Sequence, residues 1–376
     1  MTATGAAGTV RSVRAAAYRI PLEAPEADGT FEWDATTVVV VRVHADEADG
    51  LGWTYSDASV AGLVASLLAP VVEGRSLDDV RGANAAMRRA LRNVGSSGTG
   101  AAALSAVDVA LWDAHARAHG TSLVTALGSA RESVPVYGSG GFTTLAGGPL
   151  ADQLTGWVEE QGARAVKMKV GEAFGSREQR DLARAETARA AVGPDVDLFI
   201  DANGGYTRAQ AARLGRRYVE ELAVRWFEEP VSSDDVSGLA LLRGELEVDI
   251  AAGEYTWRPQ DAQRLLGASA VDCLQADVTR CGGFTGWLDV AALARAQEVQ
   301  TSTHCAPQLS VQAACATPEA RHVEWFADHV HVERLLLDGV LEPVDGVLMP
   351  DRSRPGHGLT LRSADVRRYV VAGDPL

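Results

Sequence analysis

Three acidic residues, Asp201, Glu228 and Glu254, each close a short apolar run (DLFID, VRWFE, DIAAGE) and stand 27 and 26 residues apart in a chain of 376 residues. Any one of them alone would read as a solvated loop acid or a salt-bridge partner. Runs repeated at one spacing become neighbouring strands, however, and three carboxylates then meet at one point. Unpaired, they would repel one another and hold each other's pKa up. A hard divalent cation removes that conflict. Mg2+ is expected, because it accepts a few carboxylates and keeps positions for water and substrate oxygens. Zinc fits the set less well, since no His or Cys accompanies it. Asn203, two residues past Asp201, shares its direction if the extended backbone continues. Glu229 points elsewhere in a regular strand and is expected to support the cluster from behind.

Lys167 and Lys169 bracket Met168, so the two-residue period of a strand puts both ammonium groups on one face. Beside a cation, desolvation, the metal and Lys167 are expected to lower the pKa of Lys169, and a lysine neutral near pH 7 serves as a general base. His304 and Asp277 end two consecutive runs (TSTH, CLQAD). A carboxylate there fixes the imidazole tautomer and leaves the second ring nitrogen for proton transfer. Glu324, ending HVE, is expected to stay protonated in an anionic mouth and to donate to a developing oxyanion. Ser139, in the GSGG run at 138–141, is expected to contact a substrate carboxylate. The run would cradle phosphate only if it closed the seventh or eighth strand of a barrel, and it closes the first.

The elements that must position these groups follow from the spacing. From about residue 131 short apolar runs recur roughly every 26 residues, separated by charged, Ala-rich segments of helical period. Alternating strand–helix units imply a parallel sheet with helices outside, and eight of them a closed (β/α) barrel with its chemistry at the carboxyl ends of the strands. Residues 1–130 read as an α+β unit, with a strand over TTVVVVRVH (36–44) and helices over 77–93 and 101–118. Residues 131–334 form the barrel, and 335–376 are expected to pack back on the first unit. Two segments, 21–33 and 50–57, look irregular and carry Trp33, Trp53 and Tyr55, which suits a mobile lid whose side chains meet the substrate.

Composition narrows the class. Hydrophobic residues are 46% and the net charge is −15, so neither nucleic acid nor an anionic membrane surface is an expected partner. No apolar stretch reaches membrane-spanning length, the N-terminus lacks a secretory apolar core, and four scattered cysteines suit reduced thiols in the cytoplasm. His115 and His119 are four apart at the end of a helix, where histidines suit the helix dipole. His329 and His331 are expected at the surface. Cys305 is expected to face away from the mouth as a small core residue.

The chain as a whole resembles the enolase superfamily, in the subgroup of mandelate racemase and the acid-sugar dehydratases. The motifs are SAVDVALWD (105–113), KMK (167–169), DANGGYT (201–207), FEEP (227–230), AGE (252–254), ADVTRCGG (276–283), STH (302–304) and VEW (323–325). The resemblance implies a modified (β/α)8 barrel of (β/α)7β type, capped by an α+β domain that the C-terminal residues complete. It implies Mg2+ on Asp201, Glu228 and Glu254, a base at Lys169, an opposing His304–Asp277 dyad and a carboxylate-polarising Glu324. Relatives with a second catalytic lysine on the sixth strand carry it where Arg280 stands here, and arginine stays protonated. The expected reaction is removal of the proton α to a carboxylate, with Lys167 and Glu324 steadying the enolate, followed by loss of a 3-hydroxyl to give a 2-keto-3-deoxy acid. Racemisation of a 2-hydroxy acid is the alternative, and a binding protein on a catalytically idle barrel the remote one. The partners expected are a small carboxylate substrate and further copies of the chain.

Overall fold

The computed structural model describes residues 8–376. Strands β1 (Val10–Ala27), β2 (Glu32–Ala45) and β3 (Asp49–Tyr55) form an antiparallel meander. The β-branched run Val38–Val41 fills its centre. The long helix Thr99–Ala118 lies across this sheet. It is buried along almost its whole length, and Gly50 and Gly52 let its backbone approach closely: a Cβ on Gly52 would sit 2.3 Å from the Ala106 carbonyl oxygen.

The barrel strands are β4 (Val134–Gly140), β5 (Ala165–Lys169), β6 (Asp197–Asp201), β7 (Val224–Glu228), β8 (Asp249–Ala252), β9 (Cys273–Ala276), β10 (Gln300–Thr303) and β11 (Val323–Phe326). They run parallel in the order β10-β9-β8-β7-β6-β5-β4-β11. The ring closes between β10 and β11 through a parallel bridge at Thr301 and Ala320. A helix follows each strand and packs outside. The last, Ala327–Leu336, also meets the cap.

The C-terminal tail serves both halves. β12 (Leu337–Asp338) pairs with β14 (Thr360–Leu361), and β13 (Val347–Leu348) pairs with β4 at the amino end of the barrel. Only β15 (Val370–Ala372) joins the cap sheet, beside β1. Among the described residues no helix is long and apolar enough to cross a membrane.

Two expectations fail here. Residues 21–33 are not an irregular loop but the far end of the β1–β2 hairpin, whose register shifts between Pro21 and Glu26 and then resumes at Glu26–Trp33 and Ala27–Glu32. Its tip is seated on the barrel. A Cβ on Gly29 would lie 2.6 Å from the Ala202 carbonyl oxygen, and the Thr143 amide donates to the Ala27 carbonyl at 2.8 Å. Residues 49–55 are likewise a strand, with Trp53 and Tyr55 buried against the helix Ala327–Leu336 rather than free in a lid.

Candidate active site

Register places the carboxylates. Asp201 at the end of β6 lies opposite Lys169 of β5 on one side and Glu228 of β7 on the other. Glu254 follows β8 by two residues, carried round by Gly253 at φ +141°. All three are buried, and one oxygen from each lies within 4.8 Å of the others. Ligand oxygens on an octahedral Mg2+ are about 3 to 4 Å apart, given bonds near 2.1 Å, so the trio has the span of a metal site. Glu228 Oε1 and Glu254 Oε2 are buried and accept no hydrogen bond. That is costly for a carboxylate unless a cation meets it. Burial, and then Asp201, push the Glu228 carboxyl up to about 8. The residues therefore fit the divalent ion that their chemistry suggests.

The lysines are committed to these carboxylates. Lys167 Nζ, fully buried, donates to Glu228 Oε2 at 2.6 Å and lies 2.7 Å from Glu324 Oε1. Lys169 Nζ donates to Asp201 Oδ2 at 2.5 Å. Burial favours the neutral amine, but Asp201 and the other carboxylates outweigh it and hold Lys169 above its ordinary value. The lowering expected beside a bound cation gives way here to the pull of Asp201. Arg184, on the helix Glu178–Val192, ties this side together. It donates to the carbonyls of Lys169, Gly141 and Phe142 at 2.8, 2.6 and 2.7 Å. Nothing in the sequence singled it out, because helix period alone does not show which arginine turns inward.

Across the mouth, His304 Nδ1 pairs with Asp277 Oδ2 at 2.8 Å, and Nε2 lies 3.5 Å from Glu254 Oε2. Asp277 also accepts from Thr279 N and Oγ1. Burial opposes the imidazolium, yet Glu254 and Asp277 together raise the His304 pKa. Arg280 spans the flank, with contacts of 3.1 Å to Glu254 Oε1 and 3.4 Å to Asp277 Oδ2.

Three local readings are corrected by backbone that leaves the strand conformation. Asn203, Glu229 and Cys305 take φ of +46°, +36° and +50°. Asn203 is therefore not an extended continuation of β6; its amide donates back to Asp201 Oδ1. Glu229 does not point away: it is buried, and burial and then Glu254 raise its pKa. Cys305 turns towards the mouth, with Sγ 3.3 Å from His304 Nε2. Glu324 does not end its strand, because β11 continues to Phe326 opposite Ser139. Nor is it held protonated: it accepts from Lys167, from Ser139 Oγ at 2.7 Å and from the Cys305 amide at 2.7 Å. Burial opposes its charge, but Lys167 overcomes that and lowers its pKa. The Ser139 hydroxyl is thus committed to Glu324.

The cap closes the mouth through the helix after β11. Trp33 Nε1 and Thr36 Oγ1 donate to Asp328, Trp53 Nε1 donates to Glu333, and Tyr55 stacks on His329 at 3.4 Å. His329 is buried rather than superficial, and its Nδ1 accepts from the Ala306 amide. Of the three cap aromatics, Trp33 reaches the lysine side, edge-on to Phe142, which clusters with Cys305 and Phe326. Trp53 and Tyr55 form the cap–barrel seam. Glu26, which spacing did not single out, is half-buried on the hairpin, with Oε2 buried and unpartnered. Its carboxyl is raised to about 8 by burial and by Asp328, and Lys169 is close enough to oppose the rise.

Comparison with known proteins gives a consistent picture. The mandelate racemase / muconate lactonizing enzyme N-terminal domain matches residues 11–128, and the enolase C-terminal domain-like family matches 149–366. The chain is 32% identical to the D-galactarolactone cycloisomerase of Agrobacterium fabrum, over 94% of this chain and 96% of that enzyme. It is 30% identical to the L-talarate/galactarate dehydratase of Salmonella typhimurium, over 89% and 82%. A mandelate racemase/muconate lactonizing enzyme-like structure from Rubrobacter xylanophilus superposes with a TM-score of 0.93 at 46% identity, covering 96% of this chain and all of that one. The L-talarate dehydratase of a Polaromonas species, solved with Mg and L-glucarate, superposes with a TM-score of 0.87 at 30% identity, covering 98% and 99%.

Proposed function

The chain belongs to the mandelate racemase/muconate lactonizing enzyme family of the enolase superfamily, and from that premise we propose that this Mg2+-dependent enzyme dehydrates acid sugars by removing the proton α to the carboxylate. Asp201, Glu228 and Glu254 would hold the ion. Bound there, it supplies Lewis-acid stabilisation of carboxylate charge.

The protein's own groups divide the rest of the work. Lys169 takes the α-proton from one face. Lys167, fixed between Glu228 and Glu324, donates to the carboxylate oxygen on which enolate charge grows. Glu324 holds that ammonium in place. On the opposite face His304, its Nδ1 pinned by Asp277, delivers the Nε2 proton to the departing 3-hydroxyl. The closed cap keeps bulk water from the enolate. One observation carries the reading: Lys169 and His304 approach two different members of one carboxylate trio, Asp201 at 2.5 Å and Glu254 at 3.5 Å. An acid and a base thus flank a single substrate position.

On the cap side Glu26, Asp328 and Trp33 supply polar groups that suit the hydroxyls of an aldonic or aldaric acid. The exposed Phe31 and Phe174 near the hairpin tip, at 66% and 72%, support association with further copies of the chain. The four free cysteines suit a cytoplasmic setting.

The test is turnover of aldonic and aldaric acids with Mg2+, read as 2-keto acid. Keto-acid formation from one or more of these acids is expected, and it should cease on chelation. No keto acid from any of them, with racemisation of a simple 2-hydroxy acid in deuterated water, would replace dehydration by the racemase reading.

A further inference from the structure

Far from the barrel mouth, the cap carries a second set of ligand-bearing side chains. His115 and His119 sit four apart on the last turn of the helix Thr99–Ala118, so their rings share a face, with centroids 4.6 Å apart. Asp78 reaches them from the turn before the helix Val80–Ala90. Ser76 fixes that turn: its hydroxyl accepts from the Asp78 amide at 3.2 Å, and its backbone bridges to Thr9. Asp78 Oδ1 lies 2.9 Å from His119 Nε2 and 3.5 Å from His115 Nδ1.

The grouping of the three residues is informative. Two ligands on one tetrahedral zinc lie about 3.3 Å apart, given bonds of 2.0 to 2.2 Å. One potential ligand atom from each of the three residues falls within 4.8 Å of the others. An ion pair with Asp78 needs a single imidazolium, and a second one so close would repel it. Each imidazole would bind the metal in its neutral form. His115 Nδ1 lies 3.1 Å from the Leu77 carbonyl, so it carries the ring proton and leaves Nε2 as the nitrogen for a metal.

We propose that Asp78, His115 and His119 form a site for a borderline divalent cation of the zinc, cobalt or nickel class. Two imidazoles and one carboxylate suit such ions, whereas the all-oxygen trio in the barrel suits Mg2+. The bound ion joins the turn at 76–79 to the end of the long helix. That turn also anchors the start of β1, through Leu77 N to Gly8 O at 3.0 Å and Val10 N to Arg75 O at 2.9 Å. The site therefore staples the edge of the cap, and its role is structural rather than chemical.

The test uses the full-length enzyme with Mg2+ in excess, titrated with Zn2+ and separately with Co2+. Wild type is expected to bind one more equivalent than His119→Ala or His115→Ala, and to retain it at a free metal concentration of about 10 μM. At about 100-fold excess over Kd, Zn2+ should raise the Tm by several degrees in wild type and not in the variants. Trp112, edge-on to His115 at 5.6 Å, gives a local readout. Co2+ should quench part of the emission, and Trp112→Phe or His119→Ala should abolish that part. Equal stoichiometry in wild type and His119→Ala, or binding only above about 1 mM, would overturn the proposal. His119 lies at the helix end with its side chain 35% exposed, so His119→Ala stays informative if His115→Ala fails to fold.

Discussion

The lysine flank and the histidine flank of the barrel mouth are joined to the carboxylate trio in opposite ways. Lys169 has no carboxylate of its own: its direct partner is Asp201, itself one of the trio. His304 has a private partner in Asp277, which is in turn held by Thr279 and Arg280, and it meets the trio only at 3.5 Å. The protonation of Lys169 is therefore set by whatever neutralises the trio. The histidine carries its own orientation and charge control. A lysine dependent on the ion becomes a base only in the assembled site, whereas the histidine is prepared beforehand.

Four measurements would break or sharpen this contrast. The largest effect is expected from Lys169→Ala, which removes the base proposed for proton abstraction. Turnover and exchange of the substrate α-proton in deuterated water should both fall by about 10^4. A residual rate within tenfold of wild type would give proton abstraction to another group. His304→Asn comes next: dehydration should fall about 10^3-fold, while α-proton exchange from the lysine face persists. Parallel loss of both would mean that the flanks do not act separately. Asp277→Asn should cost about 10- to 100-fold in turnover. Because Asp277 raises the His304 pKa, the descending limb of the pH–rate profile should also move to lower pH. An unmoved limb would show that Asp277 does not set that charge.

The smallest effect on rate is expected from His329→Gln, beneath Tyr55 where the histidine flank meets the cap. Burial pushes His329 down to about 3, and His322 in the barrel likewise. Both are neutral in the fold but take up protons near pH 6.5 once unfolded. Their contribution to stability is therefore complete above that pH and falls below it, by about 1.4 kcal/mol per pH unit for each group. The stability difference between wild type and variant should change by about 1.4 kcal/mol per pH unit below pH 6.5, with turnover at pH 7.5 little changed.

What could be read from sequence was whatever depends on period. The strand–helix repeat brings Asp201, Glu228, Glu254, Asp277 and His304 to one rim, and the KMK alternation aims both lysines inward, without any knowledge of side-chain packing. Departures from regularity were largely hidden. The left-handed turns at Glu229 and Cys305 are made by residues that give no local sign of them, whereas Asn203 stands in an Asn-Gly pair that marks a turn. The hairpin over residues 21–33 looked irregular because its prolines and acids mask a paired register. The charge of Glu324 depends on Lys167, 157 residues away in sequence, and on Ser139. Glu26 and Arg184 matter only through where the chain brings them.

Those left-handed positions bear on how the protein could be improved. Ten non-glycine residues among those described have positive φ, and Asn203, Glu229, Cys305 and Ala306 all cluster directly beyond barrel strands at the rim. Each costs of order 1 kcal/mol relative to glycine, and the rim keeps its side chains regardless. Ala223, Ser269 and Glu298 adopt the same conformation after helices, remote from the mouth. An engineer seeking heat resistance should therefore place glycine at those three. The rim positions are better left alone, for there thermal robustness and turnover pull in opposite directions.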